Sequence, residues 1–359
     1  MEDKMYQINV CSSLEDVQNK KNEWLKFEKK INNQNITTSY YWIESFLKVF
    51  FPREDNQFGY KKEIIVIFLY KEGELIAIAP LIQVVHRKYG IKLKMIEFIG
   101  QQWGGTFIDI IGRGLSKEDV NYIMGYVYSN YKFDLLHFKY IRKSTENFDL
   151  NSKDAEVLSG CPYLVIEDFN EFDEYKNQVY SKKLKQNIRT AFNKMKKKGL
   201  IYDSVIERIN NQNFEDIVRI SRSKLEDGKG SIYLDEDKKK FVKTIIDSLP
   251  SEVIFGRINN DCVAYRLNLF FNDIKFCFDA AYDREFRNLE LGTLSVEESI
   301  KDSFKKNIKL HSEGAGTDFY KLKFMKEVEQ IYTYTKKGNT LLSFIHYKRH
   351  LIKVRKDND

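Results

Sequence analysis

Twice along this chain, two β-rich runs flank a three-residue polar turn. EIIVIFLY (63–70) and ELIAIAPLIQVV (74–85) surround Lys71-Glu72-Gly73, and EVIFGRI (252–258) and CVAYRLNLFF (262–271) surround Asn259-Asn260-Asp261. β-branched and aromatic runs around so short a loop specify hairpins. Each hairpin sits in a similar order of elements. In the first half, helices over 14–30 and 39–50 precede it, strands at 95–100 and 106–111 follow, and a helix at 116–130 leads to a strand at 134–141. In the second half, a strand at 161–166 and helices at 181–199, 212–225 and 235–248 come first. A strand at 274–282, a helix at 291–306 and a strand at 309–316 running into a Gly loop come after. The polar, aperiodic stretch 142–160 reads as the connection, and one last amphipathic helix is expected over about 339–355. The echo is one of element order without a residue-level repeat. It predicts a duplicated α/β domain rather than a solenoid, with domains at 1–150 and 151–359.

Composition narrows the class. A chain of 359 residues with 42% apolar side chains is long enough for about two cores, and 4 Pro with 18 Gly exclude collagen-like or Pro-rich architectures. Four cysteines, without a C-x-x-C pair, do not make a disulfide scaffold and fit a reducing compartment. The start MEDKMYQINVCSS lacks an apolar signal core, and the longest apolar runs are strand-sized, so a cytoplasmic protein without a membrane span is expected. The chain lacks a nucleophile elbow, a P-loop and a Rossmann glycine fingerprint.

The clearest chemical pattern is the strand IKFCFDAAY (274–282) followed by Arg287-Asn288-Leu289-Glu290-Leu291-Gly292 and a helix. A strand leading through a Gly-bearing turn into a helix N-terminus presents free amides and a positive dipole end, a means of holding pyrophosphate. The spacing Arg287-x-x-Glu290-x-Gly292 resembles the Arg/Gln-x-x-Gly-x-Gly/Ala loop of the GNAT acyltransferases, with Glu290 replacing the first glycine. The run AAYDREFRNLELGTLS, then HSEGAGTDFYKLKF, is similar to the CelD-like branch, whose second domain ends in Gly-x-Gly-x-x-x-Tyr-Lys. Gly314, Gly316, Tyr320 and Lys321 fall on that signature. The Tyr-Lys ending is also similar to the Fem-type peptidyltransferases, which are tandem GNAT domains. The resemblance covers roughly residues 20–330.

The resemblance implies two tandem GNAT-like domains, each a mixed, mostly antiparallel sheet flanked by helices. It implies acetyl-CoA or another acyl-CoA as co-substrate, held by the second domain at Arg287, Leu291, Gly292, Thr293 and Leu294, with no metal. The first domain, which has no such loop, is implied to have lost donor binding. The expected reaction is N-acyl transfer to an amine of a small metabolite, amino sugar or peptide-like compound such as an antibiotic. Such transfer needs a base for the ammonium, a donor to the carbonyl oxygen and a proton for the thiolate. Glu313 is the candidate base, Tyr320 the candidate acid, and Lys321 the candidate oxyanion partner. Asp279 and Asp109, carboxylates within apolar runs, are candidates with Tyr282 for acceptor contact.

Two alternatives stand beside this. One is a Fem-like transferase using charged tRNA, the only reading with a nucleic-acid partner. Lys182, Lys183, Lys185, Arg189, Lys194, Lys196, Lys197 and Lys198 on the helix 181–198 would then be the tRNA surface. The other is a catalytically inactive GNAT scaffold, which the carboxylate of Glu290 favours. His346 and His350 lack a metalloprotease context and are not read as zinc ligands. The final helix, apolar on one side and basic elsewhere, has the pattern of a helix resting on its own domain or on a membrane surface.

Overall fold

The computed structural model of the chain describes residues 6–88, 91–228, 230–345, 347 and 348. It divides into two compact units. One holds the residues up to Ser159 together with those from Gln330 onward, and the other holds Gly160–Glu329. His346, His350 and the end of the expected last helix lie outside the described residues.

The first unit begins with β1 (Tyr6–Cys11), α1 (Leu14–Asn19), α2 (Lys21–Ile31) and α3 (Tyr40–Phe50). The hairpin β2 (Tyr60–Lys71) and β3 (Glu74–Lys88) follows, then β4 (Ile91–Phe98), β5 (Ile111–Gly112), α4 (Lys117–Asn130) and β6 (Leu135–Arg142). Its strands pair in the order β1, β2, β3, β4, β6, with β5 on β3. All these pairs are antiparallel except β4 with β6. The second unit takes part of β7 (Ala155–Val165), then α5 (Phe172–Val179), α6 (Lys182–Lys197), β8 (Tyr202–Glu207), α7 (Asn211–Arg222) and α8 (Glu236–Ser248). The hairpin β9 (Ser251–Ile258) and β10 (Asp261–Phe271) leads to β11 (Ile274–Tyr282), α9 (Leu291–Lys305), β12 (Leu310–Ser312) and α10 (Phe319–Leu322). The order is β7, β12, β11, β10, β9, β8, and β11 with β12 is the parallel pair. Each unit is thus a mixed, mostly antiparallel sheet with helices, as expected.

The strands at the two crossings between the units pair as follows. β7 follows β6 in sequence yet pairs antiparallel with β12 of the second unit. β13 (Glu327–Lys337) follows the second unit yet pairs antiparallel with β6 of the first. The sequence reading placed everything after residue 150 with the second domain; by its contacts the tail joins the first unit. β1, β8 and β13 were not anticipated, and their pairing partners explain why. Tyr6–Cys11 pairs with residues 66–71, and Ile331–Lys337 pairs with residues 135–142, so neither ladder is local. The stretch 106–111 is mostly irregular, because only Ile111 and Gly112 pair with β3. The single helix expected over 14–30 is two, broken at Lys20, after the capping box of Ser13 and Asp16 has started the first.

The amphipathic stripes bury as their spacing requires. Leu184, Ile188, Ala191 and Met195 of α6 join Leu289, Leu291 and Leu294 in one core. Val120, Ile123 and Val127 of α4 pack on Ile96, Leu136 and Phe138 in the other. α9 is fixed to its sheet by charge as well. The fully buried Lys275 ammonium lies 2.8 Å from Glu252 and 2.7 Å from Asp302, and Lys306 closes on the same two carboxylates. Buried ions are normally paired. Lys275→Ala removes the innermost cation and leaves Lys306 to serve both acids. It should lower the unfolding free energy by about 3 kcal/mol in urea denaturation; a loss under about 1 kcal/mol would show the cluster to be dispensable.

Candidate functional site

The parallel pair of the second unit is short. β11 and β12 are in register only over Ile274–Leu310, Lys275–His311 and Phe276–Ser312. Beyond Phe276, β11 continues to Tyr282 against β10, with a register shift between Leu267 and Asn268. The chain after Ser312 turns away through Glu313 and the glycines, Gly314 at φ +71° and Gly316 at φ +105°. Two strands that part in this way leave a wedge between them.

The floor of the wedge is a buried charge cluster. Arg266 projects from β10, where its Nη1 donates to both carboxylate oxygens of Glu313 at 2.8 Å and to Cys277 Sγ at 2.8 Å. Arg266 and Glu313 are both essentially inaccessible to solvent. His311 Nε2 lies 3.0 Å from Glu313, and its Nδ1 lies 2.9 Å from the Ser303 hydroxyl. Burial alone would raise the Glu313 pKa, but the Arg266 charge and the His311 hydrogen bond outweigh it and hold the carboxyl down to about 2. Burial lowers the His311 pKa, keeping the ring neutral, and pushes the Cys277 thiol up to about 12. A carboxylate held so acidic is a weak base at neutral pH. Acting as one would require Glu313 to leave Arg266.

Tyr320 and Lys321 stand on the short helix α10 just after the Gly loop. Tyr320 is 40% exposed, and desolvation of its hydroxyl, with the charges of Cys277 and Glu313 nearby, raises its pKa, so the phenol stays protonated. Lys321 is 6% exposed, and its ammonium donates to the Ala315 carbonyl at 2.9 Å. Among the described residues no carboxylate lies within ion-pair distance of it. Glu313, Tyr320 and Lys321 stand at and just beyond the Gly loop, where Arg266, Cys277 and His311, residues without a sequence motif, surround the Glu313 carboxylate and its neighbours. Arg266 had a signal, being the lone cation in the apolar run CVAYRLNLFF.

The predicted donor residues gather at the N-terminus of α9. Glu290 occupies the N-cap in the left-handed region, at φ +56°, and its carboxylate accepts the Thr293 hydroxyl at 2.9 Å. The first intrahelical amide contact runs from Leu294 to the Glu290 carbonyl, leaving the amides of Leu291, Gly292 and Thr293 ahead of it. Leu291 and Leu294 face the core, so only their backbone is available to a ligand. A Cβ on Gly292 would meet the ring of Tyr282 at 3.5 Å. Arg287 is exposed, its Nε on the Arg284 carbonyl at 3.2 Å. α6 runs beside this turn, with Lys194 Nζ 3.4 Å from the Asn288 carbonyl.

The two acceptor candidates differ. Asp279 is half-buried in the second unit, accepts the Tyr265 hydroxyl and lies 3.5 Å from the Lys224 ammonium. Asp109 is buried in the first unit, spent on Thr145 at 2.6 Å, Asn147 at 3.1 Å and the Ile110 amide at 2.7 Å. The first unit also has a parting parallel pair, in register only at Met95–Leu135 and Ile96–Leu136. There the Gln101 side chain spans the gap, accepting from the amides of Phe98 at 3.3 Å and Lys139 at 3.2 Å and donating to the His137 carbonyl at 3.1 Å. The rings of Phe98 and Phe138 pack beside it in a tilted arrangement, with centroids 4.2 Å apart. That wedge is filled.

The buried pair is a stability device with a definite pH signature. Because the folded-state pKa of Glu313 is depressed, its contribution is present above the unfolded value near 4.5 and is lost as pH falls toward about 2. Arg266→Met strands the carboxylate and should cost about 3–5 kcal/mol at pH 7. The deficit should shrink toward pH 4, where Glu313 can protonate, and the double variant Arg266→Met, Glu313→Leu should regain most of it. Denaturation midpoints of the three proteins across pH 4–8 check this; a pH-independent deficit would contradict it.

No protein-family profile matches the chain, and no curated protein sequence is recognisably similar to it. Solved structures are similar in fold. A crystal structure of FemX superposes with a TM-score of 0.56 at 13% identity, covering 89% of this chain and 94% of that one. A conserved protein of unknown function from Bacteroides thetaiotaomicron VPI-5482 gives 0.55 at 10% identity, over 92% of this chain and all of the other (100%). A tandem GNAT protein from the clavulanic acid biosynthesis pathway follows at 0.48 and 9% identity, over 94% and 99%. The chain thus shares its fold with FemX, the tandem GNAT-like fold that its Gly-x-Gly-x-x-x-Tyr-Lys ending implied.

Proposed function

We propose that the second unit is the donor-binding and catalytic domain of an N-acyltransferase, moving an acetyl or other acyl group from acyl-CoA to an amine. The amine belongs to a small metabolite, an amino sugar or a peptide-like compound such as an antibiotic. The observation that carries this reading is Lys321, a buried lysine with one carbonyl acceptor and, among the described residues, no carboxylate partner, beside a wedge between parallel strands. Buried cations are normally paired. One left with unspent donors is suited to an oxygen that becomes negative during reaction.

In this reading the donor pyrophosphate lies against the amides of Leu291, Gly292 and Thr293, with Arg287 and α6 supplying positive charge. The thioester enters the wedge. The deprotonated amine attacks the carbonyl carbon, Lys321 stabilises the oxyanion, and the C–S bond breaks. Tyr320 gives its proton to the departing CoA thiolate and is reprotonated by the proton that the attacking nitrogen sheds, so that the products are the amide and the CoA thiol. Glu313 holds Arg266 and His311 in place, or serves as base only if Arg266 releases it. Asp279 and Tyr282 line the acceptor side. The filled wedge at Gln101 supports a first unit without a donor.

Glu290 favours a second reading. Its carboxylate already sits at the α9 N-terminus on Thr293, where a pyrophosphate would meet like charge. A Fem-like transferase taking its acyl group from charged tRNA does not need that loop, and α6 then meets the tRNA backbone.

Calorimetric titration with acetyl-CoA separates the two. Under the first reading acetyl-CoA binds, and Gly292→Val, whose branched side chain hinders approach of the pyrophosphate to the backbone amides, weakens binding at least about tenfold. Lys321→Ala leaves binding intact but lowers kcat by about 10²–10³ in CoA-release assays over a panel of amines. No heat with acetyl-CoA, together with aminoacyl-tRNA binding whose salt dependence flattens in Lys182→Glu, Lys183→Glu, Lys185→Glu, would establish the tRNA reading instead.

A further inference from the structure

Past β13 the chain is pinned to the first unit and then presents apolar side chains to solvent. The Gly338 amide donates to the Asp134 carbonyl at 2.8 Å and the Asn339 amide to the Phe133 carbonyl at 3.1 Å. The Asn339 side chain caps the end of α4, donating to Tyr128 at 2.7 Å and Tyr131 at 2.8 Å, and Thr340 bonds Asp134. A Cβ on Gly338 would stand 2.0 Å from the Phe133 carbonyl oxygen, so this contact needs glycine. The tether is built, not frayed.

Immediately beyond it, Leu341 is 98% exposed, Leu342 52%, Phe344 54% and Ile345 48%. The opposite side of the same turn packs inward. Ser343 is buried, and Tyr347 lies against Met95 and Leu135 and bonds Asp154. Four large apolar side chains within five residues, on a segment whose other side is anchored, differ from the scattered single exposures normal on soluble proteins.

Charge says what covers them. From Gln330 to Lys356 the sequence carries Lys336, Lys337, Lys348, Arg349, Lys353, Arg355 and Lys356 and no Asp or Glu. Lys348 stands over the Phe344 ring at 4.4 Å, a cation directly beside the apolar ridge. The acids that approach the segment, Asp134 and Asp154, are held in hydrogen bonds to Thr340 and Tyr347. No described helix is long and apolar enough to cross a membrane. An apolar ridge with Lys348 beside it, in a stretch of sequence where cations outnumber the acids Glu327, Glu329, Asp357 and Asp359 that flank it, fits the boundary between acyl chains and anionic headgroups.

We propose that residues 341–345, with Lys348 beside them, dock the protein on the surface of an anionic lipid bilayer. The test is cosedimentation of the full chain with vesicles of phosphatidylcholine alone and of phosphatidylcholine mixed with phosphatidylglycerol, at low and high salt. The wild type should bind the mixed vesicles, bind neutral ones at least about tenfold less, and be released by salt. Leu341→Ser with Phe344→Ser should weaken binding at least about tenfold without changing the melting temperature, because both side chains are already in water. Lys348→Glu with Arg349→Glu should do the same through charge. Equal binding to both vesicle types, or unchanged binding of the serine variant, overturns the proposal. So does a wild type that ignores vesicles and sediments as a dimer which the serine variant dissociates, since the ridge would then be covered by a second copy.

Discussion

Three residues of parallel pairing govern the second unit. β11 and β12 stay together only from Ile274 to Phe276, because the turn through Gly314 and Gly316 takes the chain out of the sheet while β11 continues along β10. Parallel strands that stay paired share their amides and carbonyls along their length. Strands that part leave those groups facing a gap that a ligand, a side chain or water must satisfy. The two units answer that demand differently. In the first, the amide of Gln101 bridges the strands and closes the gap. In the second, Arg266 crosses underneath to Cys277 and Glu313, and the space above is left to the residues of the Gly loop.

That arrangement also orders the electrostatics. Arg266 and Glu313 neutralise one another where solvent cannot reach, and His311, kept uncharged by burial, completes the coordination of the carboxylate. Among the described residues, the charge left over is Lys321, which donates to a loop carbonyl. An unneutralised cation beside a gap in a low-dielectric setting is costly to the fold. It is also what an oxyanion needs. The Lys275 cluster fulfils a mechanical counterpart of this role, holding α9 so that its N-terminal amides open where the turn from Arg284 to Leu289 ends.

Much of this was legible in residue order. The hairpins, the helix starting at Ser181, the helix beginning near Leu291 and the convergence of Glu313, Tyr320 and Lys321 around two glycines follow from local chemistry: turn residues, caps and φ > 0 positions. The role of Glu313 was not legible in the same way. Its type and position marked it as a base, but whether a carboxylate is a base depends on what faces it, and Arg266 comes from a strand 47 residues away. Asp109 and Asp279 looked alike as lone acids in apolar runs. One is locked to Thr145 and Asn147, whereas the other shares its site with Tyr265 and Lys224.

By itself, the sequence determined two α/β units, their hairpins, and the short-range constellations that a turn or a helix end brings together. Those depend on periodicity, capping and backbone conformation, which act over a few residues. It took the folded chain to show that β13, which follows the second unit, adds a strand to the sheet of the first, that Gln101 fills one wedge, and that Arg266 reaches Glu313. Strand pairing and ion pairing over long separations leave no periodic trace. They are selected by the closure of the whole core, in which each backbone group and each buried charge must find a partner that local sequence does not name.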